Sequence, residues 1–370
     1  MTNFKVKNEV LVKAVNKIFS VVATGIRITI VGSKKVPNKG TMACIEAYDE
    51  KSVEIQTHFF IDTDCTDTVT CKVNGKEFSS IVRALGKLAK DFDLTISDSD
   101  LSISVGESAN IKLPVLSECK LIERPVEKPF CSIKVSTEDW LNALKKGAYA
   151  YGGKGPGIYF NVNEEGIELY SLDGTRAAKS YVKGQVETSK ELKECNFYVG
   201  PEINNIKAIL GSDVTGIYIL DKCVLVQNGT DVAIISKINS TFPVDIITNL
   251  YKSRAIESTI ELNQKDLLNG IEITTVIDDA KQMPLLLKID QNKLYLLSSK
   301  GNAKIQLNAT ITGNFDFIAF NAELLRKAVE ASGESIVLQY VNPQQPLWIE
   351  EKENKDTYAF ICPVNPKTDQ

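Results

Sequence analysis

Residues 75–105 read GKEFSSIVRALGKLAKDFDLTISDSDLSISV, and they change period partway through. From Gly75 to Lys90 the apolar residues Phe78, Ile81, Val82, Leu85 and Leu88 recur at three and four, the stripe of an amphipathic helix. Beyond it, Phe92-Asp93-Leu94-Thr95-Ile96 and Leu101-Ser102-Ile103-Ser104-Val105 alternate with period two, as half-buried strands do. The turn-forming run Ser97-Asp98-Ser99-Asp100 separates them. A helix followed by an antiparallel hairpin is an α+β unit.

The same unit recurs outward in both directions. A helical stripe over 8–23 uses Leu11, Ala14, Val15, Ile18, Phe19 and Val22. A third, with Trp140, Leu141, Leu144 and Ala148, follows the capping signature Ser136-Thr137-Glu138-Asp139. A fourth, 201–210, starts on Pro201 and carries Ile203, Ile206, Ile209 and Leu210. A fifth, 264–277, presents Leu267, Leu268, Ile271, Thr275 and Val276; a sixth, 322–331, presents Leu324, Leu325, Ala328 and Val329 and stops at Gly333. Helix starts fall roughly 60 residues apart, a repeat signal. Alternating runs such as Gly216–Leu220 and Lys293–Leu297 lie between them. The charged, proline-bearing segment 123–129 and the polar segment 249–258 read as connectors. They predict three repeated domains, 1–128, 129–250 and 251–370, each with two helices packed on antiparallel sheets.

Composition narrows the function. With 43% hydrophobic and 24% charged residues, the chain is an ordinary globular sequence. No apolar run approaches the roughly 20 residues of a membrane span, and Met1-Thr2-Asn3-Phe4-Lys5 has no apolar signal core. A cytoplasmic protein without membrane association is expected. The eight cysteines lack any CxxC spacing and read as buried reduced thiols rather than zinc ligands. Only one histidine, His58, is present, within the alternating stretch 52–60. Ser-His-Asp, Cys-His and multi-His metal chemistry would all have to use it, so neither catalytic residues nor a metal or cofactor is expected. The carboxylate runs 97–100 and 62–64 read as turns, and the run 152–157 is glycine-rich but lacks the order of a phosphate loop. No GxxxxGK[ST] loop is present.

Net charge is −4, yet the solvent-side positions of the helices are basic. They carry Lys13 and Lys17; Arg83, Lys87 and Lys90; Lys145 and Lys146; Lys207; and Arg326 and Lys327. Acidic residues on these helices mostly occupy first turns, where they complement the helix dipole. The fifth helix is the exception, with Glu272 and no basic residue in its middle. Helices sharing one side would give a surface that attracts phosphates without reading bases. A β-rich interaction protein unrelated to DNA is the other reading that period and charge allow.

Several stretches carry a more specific resemblance. Gly157-Ile158-Tyr159-Phe160 precedes Leu169-Tyr170-Ser171-Leu172-Asp173-Gly174-Thr175-Arg176-Ala177-Ala178; Ser240-Thr241-Phe242-Pro243 follows. Later come Phe320-Asn321-Ala322-Glu323-Leu324-Leu325, Gln345-Pro346-Leu347-Trp348-Ile349 and Tyr358-Ala359-Phe360-Ile361-Cys362-Pro363-Val364. In order and spacing these resemble the β subunit sliding clamp of bacterial DNA polymerase III. The resemblance implies a non-catalytic processivity factor: a head-to-tail homodimer of three-domain subunits, with helices lining a hole around double-stranded DNA and sheets outside. It also implies partners, the DNA polymerase and the clamp loader, that dock short peptides in a pocket. In this sequence the pocket falls on Gly155, Leu172, Gly174, Thr175, Arg176, Ala177, Pro243, Ile247, Thr248, Met283, Asn321, Leu324, Gln344, Pro346, Phe360, Cys362, Pro363 and Val364. Lys13, Lys17, Arg83, Lys87, Lys145, Lys146, Lys207, Arg326 and Lys327 are implied to face DNA, and Ile111 and Leu113 to meet Val276 and Ile277 of a second copy. The sequence departs from the family at Thr175 (often His), Ala177 (usually Leu) and Asn365 (commonly Arg). A pocket widened at Ala177, with altered peptide preference, is expected. The run 34–39 reads as a basic insertion.

Overall fold

The computed structural model describes residues 1–21, 25–32, 41–48, 53–61, 63, 65–88, 90–117, 127–151, 157–277 and 284–365. The chain divides into two compact units. The first comprises Met1–Glu138, Gly184–Cys195 and Glu202–Ile238; the second comprises Asp139–Lys183, Asn196–Pro201 and Asn239–Gln370.

In the first unit, one long antiparallel sheet runs in the order Val69–Asn74, Gly25–Val31, Thr41–Tyr48, Val53–Ile61, Asp231–Ser236, Cys223–Asn228, Val214–Ile219 and Cys131–Ser136. It ends on the Gly184–Thr188 part of the strand Arg176–Thr188. A separate four-stranded sheet joins Thr2–Lys7, Asp91–Ile96, Asp100–Val105 and Ala109–Pro114. The deciding stretch is thus a helix and a hairpin, as its two periods dictate.

Helix α1 (Asn8–Ile18) buries Leu11, Ala14, Val15 and Ile18, and α2 (Gly75–Leu85) buries Phe78, Val82 and Leu85. Apart from Ala14, each such side chain contributes about 1.5–3 kcal/mol by leaving water. The Asn74 side chain caps α2, accepting from the Glu77 amide at 3.0 Å. The helix ends at Leu85, three residues before the last apolar residue of the stripe, Leu88, and at Gly86 the chain comes close to α1. A Cβ there would lie 2.7 Å from Val12 Cγ2, and the Gly86 carbonyl accepts from Asn8 Nδ2 at 2.7 Å.

The segment expected as the fourth α-helix is a 3₁₀-helix, Pro201–Ile209. Its buried residues Ile203, Ile206 and Ile209 are spaced by three, the period of a 3₁₀ turn, and that spacing was the available signal.

The second unit repeats the plan. Its long antiparallel sheet runs Phe197–Val199, Ile158–Asn163, Gly166–Leu172, the Arg176–Lys183 part of Arg176–Thr188, Tyr358–Ile361, Leu347–Glu351, Ser335–Tyr340, Ser258–Asn263 and Ala309–Thr312. A four-stranded sheet joins Lys304–Leu307, Lys293–Ser298, Pro284–Asp290 and Phe317–Asn321. Helices α3 (Thr137–Gly147), α5 (Gln264–Ile277) and α6 (Ala322–Glu330) fall where the periodicity predicts. Leu267, Ile271, Leu325, Ala328 and Val329 from α5 and α6 share one core with Leu287, Leu296, Phe320, Leu338 and Ile361.

The segment 249–258, expected as a connector, is helical in its first half, within α4 (Val244–Ser253). Only Ile247 of α4 is buried, so burial draws no stripe there.

Where strand 176–183 meets the last strand, Tyr149 ties them together. Its hydroxyl lies 2.8 Å from the Phe360 carbonyl and 3.1 Å from that of Ala177. Burial drives its phenol well above the ordinary tyrosine range. Tyr149→Phe is expected to cost about 1–2 kcal/mol, the worth of a buried hydrogen bond whose acceptors keep other partners. Thermal unfolding should show a midpoint lowered by a few degrees; an unchanged midpoint would remove Tyr149 from the seam.

Candidate partner-peptide site and nucleic-acid interface

The second unit brings most of the expected pocket residues into one region. The hairpin after Leu172 turns on Gly174, whose φ of +88° is open to glycine and strained for other residues. Asp173 organises this turn. Its Oδ1 accepts from the Thr175 amide (3.1 Å), the Thr175 hydroxyl (2.8 Å) and the Arg176 amide (3.1 Å), and its Oδ2 from Arg176 Nε (2.7 Å). The last strand is fastened alongside, with the Cys362 amide donating to the Thr175 carbonyl at 2.7 Å. The Val364 amide donates to Ala319 at 2.8 Å, which places the segment after Ile361 beside Asn321. Asn321 caps α6, accepting from the Leu324 amide at 3.0 Å. Pro346 precedes Leu347, the ladder partner of Ile361, and Gln344 lies exposed in the same turn.

Helix α4 supplies the remaining side. Ile247 is buried in one cluster with Ala177, Tyr170, Trp348, Tyr358 and Phe360, and Leu172 and Cys362 pack at its edge. Pro243 is exposed and Thr248 half-buried at the start of α4. Burial, with help from Asp173, pushes the Cys362 thiol up, so it stays protonated. The partly exposed face is therefore apolar and weakly polar: Leu172, Thr248, Leu324, Pro346, Cys362, Pro363 and Val364. It offers shape and dispersion rather than charge. Gly155 and Met283 lie outside the described residues, as do the run 34–39 and Asp62 and Asp64.

The position expected to widen the pocket, Ala177, is a core position here. Ala177 is 1% exposed and faces Phe360 across the ladder, so the ring occupies the room that the short side chain leaves. Three contributors were missed in the sequence. Trp348 packs edge-on to Phe360 at 4.9 Å, Tyr149 holds the seam, and Ile246 on α4 is an exposed hydrophobe, 52% accessible, three residues past Pro243. The quoted 345–349 motif contained Trp348; the 3–4 spacing of Val244, Ile247, Leu250 and Tyr251 could have revealed α4 and its outward residue.

The basic helix positions divide into two groups. Lys17 is committed to Asp231 at 2.5 Å, and Asp231 also accepts from the Thr57 hydroxyl at 2.7 Å. Lys146 pairs with Glu351 (2.6 Å), Arg326 with Glu330 (2.5 Å) and Lys327 with Glu323 (2.7 Å). Lys13, Arg83, Lys87, Lys145 and Lys207 are exposed and make no ion pair among the described residues. Arg83 rests over the Phe19 ring at 4.2 Å. In the first unit, Lys13 and Lys17 line a groove of about 570 Å³ that reaches Gly86 on one side and Ala208 on the other.

Of the residues expected at the subunit interface, Val276 is 74% exposed and Ile111 half-buried. Leu113 is spent in the core of its own unit, and the side chain of Ile277 lies outside those described. The strands Ala109–Pro114 and Lys304–Leu307 each pair on one side only among the described residues.

The carboxylate run 97–100 is a turn. Ser99 and Ser102 hydroxyls donate to Asp100, and these bonds, Ser99's first, hold its carboxyl below the usual range. Among the described residues no cluster of His, Cys, Asp or Glu could hold a metal, and no helix is long and apolar enough to cross a membrane.

No family profile and no curated protein matches the chain. Solved structures do. The DNA polymerase III β subunit of Thermotoga maritima superposes with a TM-score of 0.81 at 15% identity, over 99% of this chain and 100% of that one. The DNA polymerase III subunit β of Pseudomonas aeruginosa gives 0.82 at 14%, over 98% and 100%. The sliding clamp of Bacillus subtilis gives 0.82 at 16%, over 98% and 99%. From end to end, then, this chain has the fold of the DNA polymerase III β subunit sliding clamps.

Proposed function

We propose that the chain is a DNA sliding clamp, a non-catalytic processivity factor that closes around duplex DNA as a homodimer and tethers a polymerase and a clamp loader through short peptides. The observation that carries this reading is the full-length match in fold to chains described as DNA polymerase III β subunits and sliding clamps. Three domains, 1–128, 129–250 and 251–370, are the repeat that such a ring uses. Two features support closure by a second copy. The edge strands Ala109–Pro114 and Lys304–Leu307 each have a free side among the described residues, and open edges are normally covered or paired. Beside the second of them, α5 exposes Ile273 and Val276. The exposed cations on α1, α2, α3 and Pro201–Ile209 suit weak, sequence-independent phosphate contact, and the apolar face around Leu172, Ile247 and Cys362 suits a peptide with apolar anchors.

Negative-stain imaging of the purified protein, with its mass in solution, tests this reading. A dimeric ring with a central hole of roughly 35 Å, wide enough for a duplex and its grooves, is the expected outcome. Solid monomeric particles that bind no DNA would refute it and favour a β-rich interaction protein.

A further inference from the structure

A cluster in the first unit has no part in the proposed clamp. Cys131 opens the strand Cys131–Ser136, and Cys195 closes the 3₁₀ turn Leu192–Cys195. Thr188 faces Cys131 across the ladder, and its hydroxyl lies 3.2 Å from Cys195 Sγ. Cys195 Sγ thus touches the side chain that faces Cys131, which brings the two thiols close enough for each to affect the charge of the other. Cys223 flanks Lys237 nearby, and the ammonium groups of Lys190 and Lys237 lie 4.1 and 5.2 Å from the Phe130 ring centre.

The two cysteines differ in how they can be reached. Cys131 is fixed on both sides, paired with Thr188 and with Ile219. Cys195 is the only buried residue of its short turn, and Glu191, Lys193 and Glu194 around it are exposed. A single 3₁₀ turn with so little buried surface opens locally at small cost. Opening bares Cys195 and leaves the sheet intact. Burial pushes the Cys131 thiol up to about 12, which suits it to react second, with a sulfur already beside it.

We propose that Cys131 and Cys195 form a reversible disulfide by exchange with a low-molecular-weight disulfide. The Cys195 thiolate attacks one sulfur of the small disulfide; that S–S bond breaks, and one small thiol leaves with a proton. Cys131 then loses its proton and attacks Cys195 Sγ, which expels the second small thiol. Two protein thiols are oxidised, and one small disulfide is reduced to two thiols. The new bond fastens the turn Leu192–Cys195 to the strand Cys131–Ser136, so the local opening that admitted the oxidant no longer occurs.

The test is to incubate the full-length protein with oxidised glutathione and map thiols by mass spectrometry. Wild type is expected to lose two hydrogens and yield a Cys131–Cys195 cross-linked peptide, reversed by dithiothreitol, with a melting midpoint raised by several degrees. Cys131→Ser should instead accumulate glutathione on Cys195, and Cys223→Ser should behave as wild type. Glutathione persisting on wild-type Cys195, a cross-link through Cys223, or thiols that stay unmodified would each overturn the proposal.

Discussion

Neutralising Lys13, Arg83, Lys87 and Lys207 together by glutamine is expected to weaken duplex binding on the order of 100-fold at moderate salt, and to flatten its salt dependence. These side chains are exposed and carry no ion pair among the described residues, so their charge is available to phosphates. Each phosphate contact contributes about 0.9 to the slope of log affinity against log salt, so four removed contacts should lower it by roughly 3–4. Lys17 supplies the contrast. Its partner Asp231 is almost wholly buried, so Lys17→Gln strands a carboxylate and lowers stability while leaving the salt slope near that of wild type. Filter binding or anisotropy across a salt series reads both. A slope unchanged in the fourfold variant would place DNA elsewhere.

The second large effect concerns Glu350, which holds α4 to the sheet of the second unit. Its carboxylate accepts from Arg254 Nη2 (2.8 Å), the Tyr251 hydroxyl (2.7 Å) and Gln339 Nε2 (2.7 Å). Arg254 in turn lies over the Tyr251 ring at 3.5 Å, and Tyr251 stacks on Tyr358 at 3.8 Å. Glu350→Ala takes the carboxylate from a mostly buried guanidinium, which keeps only the neutral acceptors of Gln339 and Tyr251, and leaves the Gln339 amide without its acceptor, at a cost of about 3–5 kcal/mol. For a unit of this size, the midpoint of its thermal transition should fall by roughly 10 °C. Because α4 carries Ile247 and Thr248, capture of apolar peptides should weaken before the unit unfolds. A loss under about 1 kcal/mol would mean that stacking alone seats α4.

What could be read in the sequence followed from local period. The stripe of Phe78, Val82 and Leu85 and the alternation of Phe92–Ile96 require nothing distant, and both elements form, the helix ending earlier than read. Most of the residues that the resemblance named for a pocket lie in one region of the second unit, because they sit on strands and helix starts whose register the motifs set. What escaped depended on partners far along the chain. Lys17 looks like a free surface cation until Asp231, 214 residues away, is placed beside it. Ala177 looks like a gap until Phe360 is laid opposite. Leu113 alternates with Ile111 in a way that suits either an interface or a core, and only packing decides between them. Helix α4 escaped because a helix that buries one residue leaves little apolar pattern.

The interleaving of the two units bears on how the chain is made. The first unit is complete once Ile238 has been synthesised, whereas the second must wait for the strand Tyr358–Ile361. Until that strand emerges, residues 176–179 on the nascent chain lack their ladder partner. At translation rates of about 5–20 residues per second, the wait from residue 179 to residue 361 is roughly 10–40 s. An open strand edge on a ribosome-bound chain for that long is a substrate for chaperones, and on crowded polysomes it is a point where neighbouring nascent chains can pair in error.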